Sequence, residues 1–181
     1  TYSNSAADFR KYDRPMVHPS TDALEIADSD LRSQSGALCW RMHRGKVRLL
    51  LISSRTTGRW VIPKGWPHDK LTAAGSAAAE AWEEAGVEGS VCEEPLGCFT
   101  YHKVIRPGVV RPCVVSVFAM RVARLRTKFP ERRERRRKWF NAARAARKVA
   151  EPELRALLLA LSAESAVLHQ FPGQNEDVVL G

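Results

Sequence analysis

Three glutamates in the middle of the chain, Glu80, Glu83 and Glu84, are the first residues whose spacing indicates chemistry. On an α-helix, at about 100° per residue, positions three and four beyond Glu80 lie on the same side as Glu80 itself. Three carboxylates on one face repel one another unless a cation neutralises them. Mg²⁺ and Mn²⁺ take oxygen ligands and keep positions for water and for substrate phosphates. The spacing therefore predicts a metal site that handles phosphate.

The alternative interpretation of the glutamates is a solvated acidic face, which surface helices often carry. The surrounding residues favour a helix that is packed on one side. Thr72 is a suitable N-cap and Gly86 stands where a left-handed C-cap residue belongs, so a helix is predicted over residues 72–86. The apolar stripe predicted for it consists of Ala78, Ala81, Trp82 and Ala85.

The stretch from Gly65 to Val87 resembles the Nudix box of the Nudix hydrolases, a long and specific motif. Its form is G-x5-E-x7-R-E-U-x-E-E-x-G-U, with U an aliphatic residue. The matching residues are Gly65, Glu80, Glu83, Glu84, Gly86 and Val87. Segments outside the box are similar to the diphosphoinositol polyphosphate phosphohydrolase-like branch of that family, namely residues 50–55, 59–63 and 137–140. The resemblance covers about residues 36–162, most of the chain.

The resemblance implies divalent-metal chemistry with Mg²⁺ or Mn²⁺. The metal ligands that it implies are Glu80, Glu83, Glu84 and the backbone carbonyl of Gly65. The implied reaction is hydrolysis of a phosphoanhydride by an activated water. Glu84 is the expected general base, shared with metal binding, and Glu80 is the second expected catalytic residue. Glu131 and Glu134 are candidate bases outside the box, with the alternative that they pair with neighbouring arginines.

Two positions depart from the box. Leu71 occupies the first glutamate position, and Ala79 occupies the arginine position before Glu80. The resemblance implies that this arginine orients the metal-binding glutamates, so Ala79 is expected to leave the site less preorganised. Gly75 adds a weak position early in the helix, where glycine costs about 1 kcal/mol relative to alanine. The expectation is a competent but slower enzyme.

Cations beside the Lys64-Gly65 loop are the expected partners of substrate phosphates. Lys64, Arg55 and Arg59 can clamp a multiply charged ligand, and Ser54 can donate a hydroxyl hydrogen bond. Arg59 has an alternative as an exposed turn residue, because the turn-forming residues 56–58 precede it.

Aromatic and histidine side chains near the loop are less decisive. Trp66 either stacks on a base, which would favour a dinucleoside polyphosphate, or closes the core. His68 and His102 lack a partner at metal-ligand spacing and are not among the predicted ligands.

The net charge of +9 is concentrated, since twelve Lys or Arg residues lie between Arg124 and Lys148. Such a run is often only a solvated loop, but here it precedes the Trp139-Phe140 segment, and it would attract dense phosphate. RNA is a weaker candidate partner than a polyphosphorylated small molecule. The run neutralises phosphates without reading sequence, and aromatic residues for base stacking are few.

The pattern of elements indicates an α/β protein, a Nudix-type α/β/α sandwich with a mixed central sheet. The predicted strands lie near residues 37–42, 47–53, 59–63, 89–103, 111–123 and 135–140, and further helices follow Asn141 and begin at Pro152. Residues 114–120 are almost continuously apolar, which predicts a strand buried on both faces.

A length of 181 residues with 44% hydrophobic residues fits one catalytic domain. The predicted domain spans 36–164, between a partly disordered N-terminal extension at 1–35 and a tail at 165–181. Four cysteines without a C-x-x-C pair predict a reduced, cytoplasmic setting. No apolar run approaches the ~20 residues of a membrane span, so no membrane partner is expected. The oligomeric state is left open.

The first functional hypothesis is a pyrophosphohydrolase that cleaves phosphoanhydride bonds of a densely phosphorylated small molecule, of the diphosphoinositol polyphosphate or diadenosine polyphosphate type. The alternative is a catalytically weakened module, in which Ala79 and Leu71 mark lost activity and the basic run binds RNA or a phosphorylated effector. Fold-level analogy reaches the type of reaction and no further.

Overall fold

The computed structural model describes residues 32–163, which form seven strands and three helices. The predicted tail at 165–181 lies outside these residues, as does the predicted N-terminal extension except for its last four positions. No helix within this described range is long and apolar enough to cross a membrane.

The elements follow the predicted order along the chain, with one correction: Lys64–Gly65, expected to be a loop, forms a short strand because it pairs with the first strand. They are β1 (Arg32–His43), β2 (Lys46–Ser53), β3 (Trp60–Val61), β4 (Lys64–Gly65), α1 (Ala73–Ala85), β5 (Val87–Arg106), β6 (Val109–Leu125), β7 (Arg137–Phe140), α2 (Ala142–Ala146) and α3 (Pro152–Ala163).

One mixed sheet holds the seven strands, in the order β3-β2-β1-β6-β5, with β4 paired to β1 and β7 paired to β2. Strands β1 and β6 are parallel, and the other pairs are antiparallel. Helix α1 packs on one face of the sheet, and α2 and α3 pack on the other. The predicted α/β/α sandwich with a mixed central sheet is confirmed.

Strand β6 divides the core into its two layers. Val115, Val117 and Ala119 point to the α2 and α3 side, whereas Phe118 and Met120 point to the α1 side. All five are buried, as the nearly continuous apolar run predicts for a strand covered on both faces.

Helix α1 has the predicted caps. The Thr72 hydroxyl accepts a hydrogen bond from the Gly75 backbone N–H at 3.0 Å, and Gly86 ends the helix in the left-handed region at φ 63°. The predicted apolar stripe is only partly right, because Trp82 is 37% exposed. The face that meets the sheet consists of Ala74, Ala77, Ala81 and Ala85. These small side chains leave no room for an indole at the contact, so Trp82 lies towards solvent.

Gly86 also anchors the segment at residues 126–136, which leads into β7. Its carbonyl accepts the Arg126 backbone N–H at 2.8 Å, and a Cβ at Gly86 would lie 2.6 Å from Cδ1 of Phe129. A side chain is therefore excluded at Gly86 both by its backbone conformation and by its neighbour.

Gly86→Ala is expected to lower the free energy of unfolding by about 2–4 kcal/mol, because strain at positive φ adds to overpacking against Phe129. Gly58→Ala is the matched control, with φ at 68° and nothing within 4 Å of its Cβ. It should cost only the conformational part, about 1 kcal/mol. Urea unfolding of both variants measures the difference. Equal decreases in the free energy of unfolding would show that the Phe129 ring moves aside without destabilising the protein.

Candidate metal and phosphate site

All eight residues that the sequence predicted for the site line one cavity of about 570 Å³. They are Ser54, Arg55, Arg59, Lys64, Gly65, Glu80, Glu83 and Glu84. The end of β2 and the turn after it, strand β4 and the last turns of α1 bring them together. The structure thus gathers the predicted residues, and the role of each one stays a prediction.

Glu80 lies directly against Gly65. A Cβ built on Gly65 would stand 2.0 Å from Oε1 of Glu80, so a side chain at position 65 would take the place of the carboxylate. The Nε2 atom of His68 is 3.7 Å from the same oxygen. Burial, and after it the Glu83 carboxylate, raise the pKa of Glu80. The absent side chain at Gly65 is what allows this carboxylate to reach the strand.

Glu84 is the buried carboxylate of the site. Its Oε2 accepts the Lys64 backbone N–H at 3.0 Å, and its Oε1 accepts a hydrogen bond from Nη2 of Arg135. Burial raises its pKa to about 7 from the ordinary 4.5, even though Arg135 and Lys64 act to lower it. A carboxylate with a pKa near neutrality is suited to exchange a proton with water.

The donors available in the cavity are chemically suited to a hard divalent cation. Carboxylate and carbonyl oxygens are the ligands that Mg²⁺ and Mn²⁺ prefer, and Glu80, Glu83, Glu84 and the carbonyl of Gly65 belong to that class. Within residues 32–163, however, no three Asp, Glu, His or Cys side chains are drawn together as a ligand cluster. The Gly65 contact supports the fit, because it holds the Glu80 carboxylate beside the main chain of β4.

The cationic side of the cavity is largely paired with carboxylates. Nη1 of Arg55 lies 3.1 Å from Glu131 and 3.2 Å from Glu134, and Arg59 forms a 2.9 Å ion pair with Glu151. Glu151 is almost fully buried, so Arg59 has a structural partner besides its place on the cavity wall.

Lys64 and Ser54 complete that side. The ammonium of Lys64 lies 4.5 Å from the centre of the Tyr101 ring, and burial lowers its pKa. The Ser54 hydroxyl lies 2.6 Å from the Thr57 hydroxyl and accepts the Thr57 backbone N–H, so it also stabilises the turn after β2.

Sequence reasoning did not single out Arg135. Its side chain is buried in the cavity wall, whereas Arg132, Arg133 and Arg136 of the same basic run are exposed. The only local signal was its spacing of four residues from Glu131. Glu131 does pair with Arg135 at 2.5 Å, as its alternative interpretation predicts, whereas Glu134 pairs with the distant Arg55.

Trp66 does not close the core, because it is 39% exposed at the cavity. The ammonium of Lys103 lies 4.3 Å from the centre of its ring. Tyr101 and Gln34, joined by a 2.7 Å hydrogen bond, line the cavity as well. Gln34 lies on β1, and Tyr101 and Lys103 lie on β5, where nothing in the local sequence marks them.

Sequence comparison finds relatives of one kind. The chain is 30% identical over 136 residues to Nudix hydrolase 13, mitochondrial, of Arabidopsis thaliana, which covers 65% of this chain and 67% of that protein. It is 37% identical over 60 residues to the human diphosphoinositol polyphosphate phosphohydrolase 3-alpha, covering 33% of this chain and 37% of that one. The chain thus spans about two thirds of the plant relative's length. No family model matches the chain.

Structural comparison agrees on the fold. The C. elegans Ap4A hydrolase superposes with a TM-score of 0.54 at 19% sequence identity, covering 74% of this chain and 97% of that one. At this identity the likeness establishes the fold alone.

In the metal-free protein the carboxyl ¹³C resonance of Glu84 is expected to titrate with a midpoint of about 7. Because this pKa is raised on folding, the protonated form stabilises the protein fully below about 4.5, and that stabilisation is lost as the pH rises through about 7. Glu84→Gln identifies the resonance by its loss. A midpoint at the ordinary value would contradict the prediction.

Gly65→Ala is expected to weaken Mn²⁺ binding about tenfold, because the new methyl group displaces the Glu80 carboxylate. The melting temperature should change little, since the displaced atoms are the end of a flexible side chain. Gly75→Ala, in the first turn of α1, is the control and should leave Mn²⁺ affinity unchanged. Titration calorimetry measures both variants. Unaltered Mn²⁺ affinity in Gly65→Ala would show that the Glu80 carboxylate does not contribute to metal binding.

Proposed function

The chain belongs to the Nudix hydrolase family, and from this premise we propose that it is a divalent-metal-dependent pyrophosphohydrolase acting on a densely phosphorylated small molecule. One observation carries the proposal. Three carboxylates of α1 and the cations Arg55, Arg59 and Lys64 line the same cavity. A site for a polyphosphate needs both, since cations hold the phosphates and acidic groups hold the metal ions between them.

In the proposed reaction Glu80, Glu83, Glu84 and the carbonyl of Gly65 would hold the metal ions. Mg²⁺ or Mn²⁺ bound there would stabilise negative charge on phosphoryl oxygens and activate a water. Glu84 removes a proton from the attacking water, for which its raised pKa suits it. Lys64 and Arg55 orient the phosphates that do not react. The water oxygen forms the new bond to phosphorus, and the phosphate on the other side of the anhydride leaves.

Two substrate types fit the cavity for different reasons. Diphosphoinositol polyphosphates suit the several Lys and Arg side chains in its wall, and the matched human protein is named for hydrolysing them. Diadenosine polyphosphates suit the exposed indole of Trp66, which offers a face on which a base can stack, and the superposed C. elegans enzyme is named for such a substrate.

RNA is kept as a weaker candidate, since much of the basic segment at 126–136 is exposed and can bind phosphate without reading bases.

Mg²⁺ and Mn²⁺ are both retained as the proposed cofactor. A cytoplasmic location remains a proposal from the cysteine pattern, and the matched Arabidopsis protein is named as mitochondrial.

The test is phosphate or nucleotide release from a panel of diphosphoinositol polyphosphates, diadenosine polyphosphates, nucleoside triphosphates and triphosphate-ended RNA, with Mg²⁺ or Mn²⁺. Glu84→Gln should lower kcat about 10²- to 10⁴-fold on the true substrate, because it removes the proton acceptor. Glu93→Gln, an exposed carboxylate on β5 outside the cavity, is the matched control and should retain full turnover.

The variant Ala79→Arg distinguishes the pyrophosphohydrolase hypothesis from the hypothesis of a catalytically weakened binding module. A large gain in turnover would mean that the site is damaged at this position, whereas no change would mean that it does not rely on a cation there. Absence of turnover on every compound, with binding retained, would replace the hydrolase by a phosphate-binding module.

A further inference from the structure

Arg135 makes more contacts in the cavity than its exposed neighbours in the basic run. Its side chain is 7% exposed, and all three guanidinium nitrogens have partners. Nε lies 2.5 Å from Oε2 of Glu131, Nη1 donates to the Ser53 carbonyl at 3.3 Å, and Nη2 donates to Oε1 of Glu84. One planar group therefore joins the end of β2, the end of α1 and the segment before β7.

The backbone on which Arg135 stands is fixed independently of its side chain. Ser53 N–H donates to the Arg136 carbonyl at 2.8 Å, and Arg136 N–H donates to the Ser53 hydroxyl at 2.9 Å. Four residues earlier, Glu131 N–H donates to the Glu83 carbonyl at 3.0 Å. The guanidinium consequently reaches α1 from a backbone that is hydrogen-bonded to the end of β2.

The positive charge of Arg135 offsets a repulsion between carboxylates that no cation at position 79 of α1 offsets. Glu80, Glu83 and Glu84 follow Ala79, which carries no charge, so nothing at that position of the helix holds the carboxylates against their mutual repulsion. An ionised carboxylate offers about four lone-pair sites. Glu84 uses one for the Lys64 N–H and one for Arg135, which leaves one on each oxygen.

We propose that Arg135 is the positioning residue of the site: it fixes the Glu84 carboxylate so that the lone pairs left over are presented to the cavity, the task for which Ala79 provides no cation. This inference rests on the proposed function. The role requires both the charge and the forked shape of the guanidinium, since the contacts to Glu84 and Glu131 use different nitrogens.

The competing arrangement is that Arg135 occupies the place of the metal ion and blocks it. The two arrangements predict opposite changes in metal affinity when Arg135 is replaced. If Arg135 positions Glu84, removing it weakens the binding of the ion, and if Arg135 blocks the site, removing it strengthens binding.

The experiment measures Mn²⁺ dissociation constants by electron paramagnetic resonance, together with kcat, KM and melting temperature, on the full chain. Arg135→Gln should weaken Mn²⁺ binding about 10- to 100-fold and lower kcat in parallel, with KM changed much less. Arg135→Lys keeps the charge without the fork and should fall between Arg135→Gln and wild type. Lys46→Gln, at the opposite end of β2 from Ser53, removes one exposed positive charge as a control and should change neither quantity.

The double variant Ala79→Arg with Arg135→Gln tests the assignment most directly. A guanidinium restored on α1 should recover at least part of the lost Mn²⁺ affinity, which a purely structural role of Arg135 would not permit. If Arg135→Gln fails to fold, Arg135→Lys with and without Ala79→Arg gives the same comparison.

Mn²⁺ affinity that is unchanged or tighter in Arg135→Gln overturns the positioning role while leaving the proposed function intact. Wild-type protein that neither binds Mn²⁺ nor turns over any substrate removes the proposed function, and the role of Arg135 with it. An Arg135→Gln loss that Ala79→Arg does not recover at all likewise overturns the assignment.

Discussion

Like charges held close together are the constraint around which this molecule is organised. Glu80, Glu83 and Glu84 occupy one face of one helix, and two of them are largely withdrawn from water, so their pKa values rise. Left alone, such side chains would extend towards solvent and away from one another. Two of them are held in place: the Lys64 amide and the Arg135 guanidinium hold the Glu84 carboxylate, and Gly65 makes room for the Glu80 carboxylate beside β4.

The supports come from distant parts of the chain, and small residues make them possible. The alanine face of α1 packs closely on the sheet, and Gly65 admits the Glu80 carboxylate where a methyl group would exclude it. The mixed sheet places β2, β4 and the segment before β7 around the end of this helix. The site is consequently a property of the packing between layers, with each wall contributed by a different element.

Features set by local sequence were predictable. The caps of α1 at Thr72 and Gly86, the buried run in β6 and the gathering of the box glutamates follow from propensity and periodicity, and the structure has them all. Features set by the path of the chain were not. Arg135 turns inward because residues 126–136 are tied to Glu83, Gly86 and Ser53, which lie far away in sequence. Trp82 was wrongly assigned to the buried face of α1, and the position of Trp66 was left open, since hydrophobicity alone does not say which side of a helix or loop has room for an indole.

Gly86 holds two parts of the site to a common point. It ends the helix that carries the glutamates, and its carbonyl and its open Cα face receive the backbone of Arg126 and the ring of Phe129 from the segment that carries Arg135. The positions of the Glu84 carboxylate and of the Arg135 guanidinium are thus both set relative to Gly86. Because the same segment is also hydrogen-bonded to Ser53 of β2, it links the end of α1 to the sheet and opposes sliding of the helix across the layer beneath it.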